Sequence, residues 1–190
     1  MRAPLLVLLA AAALAACARP EYFLTPPPQG AARAATGAGS VAVADLNLPA
    51  YAETIEIAAL TETGAVQLSK DALWADTPRR ALTRHLVAAL QARLGAQVAA
   101  DPWPAFDSPS LRLEVIVDRM IGAPGGALQF SGQYVLVSPL SGRVVASDRF
   151  AISTPAAAPG YQGLIDAHAR AVETLADQIA ARIARSGGVS

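Results

Sequence analysis

Leu111, Leu113, Val115 and Val117 alternate with Arg112, Glu114, Ile116 and Asp118, and that two-residue period describes a strand with one apolar and one wetter face. Gly122, Pro124, Gly125 and Gly126 then break the chain. After them Leu128, Phe130, Tyr134 and Leu136 alternate with Gln129, Ser131 and Gln133, and a turn at Pro139 to Gly142 leads into a third run from Val144 to Ile152. Three such runs in succession predict an antiparallel meander with polar outer positions. Its apolar face has to be covered by another layer.

The cover is legible on either side of the meander. Thr77 reads as an N-cap with Pro78 at the first helical position, and Leu82, Leu86, Leu90 and Leu94 recur every four residues until Gly95. A longer helix is expected from about Tyr161 to Ala184, with Leu164, His168, Val172, Leu175, Ile179 and Ile183 on one face. Upstream, Val41, Val43 and Leu46 form a β-prone stretch ended by Pro49. Runs from Ile55 to Leu60 and from Ala65 to Leu68 flank a turn at Glu62-Thr63-Gly64. An early strand, a helix and a return near Val98 imply one parallel crossover, so the sheet should be mixed. The expectation is an α/β (α+β) single domain over residues 41–186: a mixed β-sheet with an antiparallel meander, covered by two amphipathic helices, and a polar tail at 187–190.

The N-terminus carries a different kind of information. Arg2 precedes an apolar and small-residue run from Leu5 to Ala16, far short of the roughly 20 residues a membrane-crossing helix needs. It ends in Leu14-Ala15-Ala16-Cys17, which fits the lipobox of signal peptidase II and holds the only cysteine of the chain. Residues 1–16 are therefore expected to be a signal peptide, with Cys17 as the lipidated first residue. Lipidation also accounts for a lone thiol in an oxidising compartment. Several acyl chains at about 0.8 kcal/mol per buried CH₂ would make the anchor close to permanent. Ala18, where an Asp would retain a lipoprotein in the inner membrane, favours the periplasmic face of the outer membrane. Residues 17–40 read as a Pro/Gly/Ala-rich tether, interrupted by Tyr22-Phe23-Leu24, which is greasy enough to dock as a short strand.

Chemistry is harder to find. Loss of residues 1–16 removes only Arg2, leaving 14 basic against 15 acidic side chains, so no charge excess draws the protein to nucleic acid. Two histidines and one cysteine already used as an anchor make a poor metal set, and His85 and His168 read as core or surface histidines. No G-x-S-x-G is present, and Gly122, Gly125 and Gly126 lack the Lys and Ser/Thr of a phosphate loop. The expectation is a protein that is not an enzyme and takes no cofactor. The candidate partner contacts are aromatic: Tyr51 after Leu48-Pro49, Trp74 before the first helix, and Trp103 in a Pro-rich loop. Trp74 favours a core position, as a hydrophobic staple before the helix. Trp103 favours an exposed one.

These features occur together in an order that resembles the PqiC family of ABC-type transport auxiliary lipoproteins. They are Cys17; Tyr22-Phe23-Leu24; Leu48-Pro49-Ala50-Tyr51; Leu73-Trp74-Ala75 running into the first helix; the strands Leu111 to Asp118 and Phe130 to Leu136; Phe150; and Gly160-Tyr161 opening the last helix with Leu175, Ala176 and Ile179. The resemblance implies a fold similar to the TolB N-terminal domain. It also implies an outer-membrane adaptor that meets the MCE-domain protein (PqiB-like) of a lipid transporter, as a homo-oligomeric ring, in intermembrane lipid trafficking. A rival from another class is a periplasmic lipid-binding carrier lipoprotein with its ligand between helix and sheet, which a fully packed interior would contradict.

Overall fold

The computed structural model describes residues 19–29 and 39–186; Cys17 and the polar tail lie outside these. The described residues form β1 (Glu21–Phe23), β2 (Ser40–Val43), a 3-10 turn (Ala50–Ala52), β3 (Glu56–Leu60), β4 (Val66–Trp74), α1 (Pro78–Leu94), β5 (Gln97–Ala100), β6 (Leu111–Ile121), β7 (Ala127–Ser138), β8 (Arg143–Pro155) and α2 (Gly160–Arg185).

The mixed sheet expected from the sequence is divided in two. A five-stranded sheet runs β5-β2-β6-β7-β8, with β2 parallel to both β5 and β6 and the meander antiparallel. A three-stranded sheet runs β1-β4-β3. The two meet where the Leu60 N–H donates to the Gly122 carbonyl at 2.9 Å. The third strand, read as Ala65 to Leu68, continues to Trp74. Its polar middle, Ser69-Lys70-Asp71, hid the continuation: the pairing shifts register between Glu56 and Ala58, and the Ser69 hydroxyl accepts the Ala72 N–H at 2.9 Å. Trp74 therefore ends a strand and is not a staple.

Both helices lie on the apolar face of the large sheet. Leu82, Leu86, Leu90 and Leu94 of α1 are buried, as are Leu164, His168, Val172, Leu175, Ile179 and Ile183 of α2, as their periodicities require. Facing them, the rings of Phe130 and Phe150 pack at a tilt with 4.8 Å between centroids, worth about 0.5–1.5 kcal/mol beyond their area. Polar links orient the layers. Arg93, buried on α1, donates to Asp177 of α2 at 2.6 Å, and Asp148 of β8 accepts from both Tyr134 at 3.1 Å and Arg182 at 3.0 Å. Thr77 takes the extended N-cap backbone conformation without a side-chain cap bond; Asp76 instead accepts the Thr77 N–H at 2.7 Å.

Candidate functional site

The outer face of the large sheet is open over most of its area, and polar residues such as Gln129, Ser147 and Arg149 line it. One corner differs. Ala42 points to this outer side, between the inward-facing Val41 and Val43, yet is only 1% exposed. The segment after β5 folds back over it through a cis Asp101–Pro102 peptide and Trp103. The result is a groove of about 580 Å³, floored by Ala42 and Ala44 and walled by Trp103, Pro109 and Pro139.

Charge borders the groove. Arg112 pairs in register with Ala42 and so projects to the same side; its guanidinium bridges Asp101 at 2.8 Å and Glu114 at 3.2 Å. Asp45 and Asp101 are shared with a second depression, of about 430 Å³, that reaches Arg79, Arg80 and Arg84 on the first turns of α1. The indole Nε1–H of Trp103 is buried and has no hydrogen-bond partner among the described residues. A buried orphan donor costs about 1–3 kcal/mol. Phe106 in the same loop is fully exposed, and Leu140 beside Pro139 is 92% exposed.

The three aromatic residues singled out in the sequence do not converge. Trp103 forms the groove. Trp74 is 6% exposed and lies inside the core, edge-on to His168 at 5.2 Å. Tyr51 is half-buried, and its hydroxyl accepts the Met120 N–H at 3.1 Å, just past the register shift between Val117 and Arg119. Tyr51 is thus spent on a backbone donor that the bulge leaves open. Phe106 and Leu140 were not singled out, although both lie in turn-rich segments where a large apolar side chain has no strand face to hide in.

Burial governs the two histidines. The His168 ring is pushed down to about 4, because solvent cannot reach its charged form; its Nδ1 bond to the Leu164 carbonyl opposes this only in part. Burial also lowers His85, against the opposing charge of Glu173, whose Oε1 lies 3.3 Å from Nε2. The same Oε1 accepts the Gln29 N–H at 3.1 Å, so the chain after β1 is held down on α2. Between helices and sheets, the cavity lined by Ile57, Trp74, Leu82, Met120 and His168 is only about 10 Å³. That is about one water probe, far from the volume of an acyl chain.

The ABC-type transport auxiliary lipoprotein component family matches residues 22–180. The chain belongs to that family. The match covers β1 through most of α2, and the family is the one to which the residues pointed. The fold is similar to that of a crystallised uncharacterised protein, with a TM-score of 0.72 at 20% identity, covering 87% of this chain and 99% of that one. A DUF330 protein from Xanthomonas campestris gives 0.69 at 17% identity, with 88% and 96% covered. No curated protein matches the chain. As a family member, this transport auxiliary lipoprotein is of a class associated with ABC transporters and not a class of enzymes.

Proposed function

We propose that the protein is an outer-membrane lipoprotein adaptor of an MCE-type ABC lipid transport system. It is anchored through Cys17 and meets the MCE-domain protein of the transporter at the Trp103 groove. The observation that carries this reading is the family match over residues 22–180; the lipobox Leu14-Ala15-Ala16-Cys17 and the small Ala18 support the anchor and the choice of membrane. The groove favours a protein partner: an apolar trough beside two exposed anchors, Phe106 and Leu140, suits a peptide segment. Assembly as a homo-oligomeric ring remains part of the same proposal.

A carrier that holds lipid between helix and sheet fits less well, because Leu82, Met120, Leu164 and Ile179 close that space at 2% exposure or less. The test is affinity capture of the lipidated chain in mild detergent, probed for the MCE-domain protein. Capture that Trp103→Ala reduces at least tenfold, with the melting temperature unchanged, is expected. A wild-type chain that copurifies with bound phospholipid and no MCE-domain protein would favour the carrier instead.

A further inference from the structure

The three-stranded sheet turns an apolar face away from the core. Leu60 pairs with Val66 and Ala58 with Leu68, so these four share one face, while Ile57 and Ala59 point inward. In the parallel register Tyr22 sits beside Leu73 on that same outer face. Tyr22 is 63% exposed, Val66 48% and Leu68 41%. Single exposed apolar residues are ordinary, but contiguous ones on one sheet mark a contact surface. Lys70, the only lysine of the chain, stands exposed at its border.

The direction of β1 says what covers this face. β1 runs parallel to β4 and starts opposite Ala72. Arg19 and Pro20 therefore lead toward the Val66 to Lys70 end of β4, whose edge carries no strand among the described residues. Cys17 precedes Glu21 by four residues, which span at most about 14 Å. Acyl chains on Cys17 must therefore enter a bilayer close to the Glu21 end of β1, and Leu68 and Val66 lie about 13 and 20 Å along β4 from Ala72, the partner of Glu21. We infer that the outer face of the three-stranded sheet rests on the lipid bilayer, with Val66 and Leu68 at the acyl boundary, Tyr22 at headgroup level and Lys70 toward the phosphates. The inference rests on the reading of Cys17 as the lipidated residue.

The groove lies at the other end of the molecule. β7 starts near Gly122, where the small sheet attaches, and ends at Ser138 beside Pro139 of the groove; its 12 residues span about 36 Å. A bilayer under the small sheet thus meets the end of β7 opposite to the groove.

The test uses the full lipidated chain in phosphatidylethanolamine/phosphatidylglycerol vesicles that carry a headgroup nitroxide. With Cys17 acylated, a cysteine placed by Leu68→Cys or by Leu140→Cys is the one free thiol and takes a polarity-sensitive fluorophore. The label at 68 should be blue-shifted and quenched severalfold by the nitroxide, and that at 140 quenched by aqueous iodide alone. Acylated, vesicle-bound protein whose label at 68 stays open to iodide would overturn the docking and leave the anchor standing. Protein whose intact mass lacks acyl chains on Cys17 would remove both. Protection at 68 that persists in detergent at twice the protomer mass would assign the face to a second copy and overturn the bilayer contact.

Discussion

His168 lies inside the molecule with its Nδ1–H donated to the Leu164 carbonyl at 2.7 Å and Trp74 edge-on at 5.2 Å. Its folded value of about 4 is below the value near 6.5 of an unfolded chain. Between those limits the unfolded state binds a proton that the folded state refuses. Stability is therefore complete above about pH 6.5 and falls as the pH drops toward 4, by at most about 3 kcal/mol, with His85 adding in the same direction. Thermal melts from pH 7 to 4.5 should show this slope, and His168→Asn should flatten it; an equally steep slope in the variant would remove His168 as its cause. Trp74→Ala should cost about 3–5 kcal/mol, the usual loss for a buried aromatic, read by denaturant titration. Trp103→Ala should leave stability nearly unchanged, because what it removes is a groove wall with an unpaired donor.

The elements owe their joins to backbone contacts that side-chain patterns do not announce. Gly132 in β7 faces Val117 of β6, and a Cβ there would stand 2.1 Å from the Ile116 carbonyl oxygen. Gly132→Ala should therefore cost about 1–3 kcal/mol through strand displacement, whereas Ala at Gly126, whose Cβ would lie 3.3 Å from its nearest neighbours, should cost less; equal melting temperatures would contradict the close approach. The meander and both helices were legible because alternation and a four-residue leucine repeat each require a buried face. The docking of Tyr22-Phe23-Leu24 was legible as well: Phe23 faces inward at 6.4 Å from Tyr161. What escaped were the second half of β4, where a register shift interrupts the alternation, and the split into two sheets, which a backbone bond from Leu60 to Gly122 joins without any side-chain pattern to announce it. The groove also escaped, since it is made by a loop folding back across 60 residues of sequence onto Ala42. Of the aromatic candidates, Trp103 is the one the fold leaves at a surface cavity, and Tyr51 and Trp74 are engaged in holding β6 and the core.

At the scale of the whole molecule, the position of β1 decides how the protein sits. A chain free from Cys17 to Ser40 would reach about 80 Å, whereas docking at Glu21 leaves about 14 Å. On the proposed anchoring through Cys17, the protein is thereby held against its membrane, and its groove lies about 36 Å away along β7. Phe23→Ala should loosen this hold, and limited proteolysis of the vesicle-bound protein should then cut between Glu21 and Gln29 severalfold faster than in the wild type; equal rates would mean that β1 is held by its β4 ladder alone. On the proposed reading, this lipoprotein meets an MCE-domain protein at the groove. The most direct test of that contact is a photo-crosslinking amino acid placed at Phe106 in the lipidated chain in cells. A covalent product with the MCE-domain protein, absent when the crosslinker is moved to Ser147 on the open sheet face, is the result expected. Crosslinks from position 106 only to other copies of this chain, in cells that express the MCE-domain protein, would contradict it.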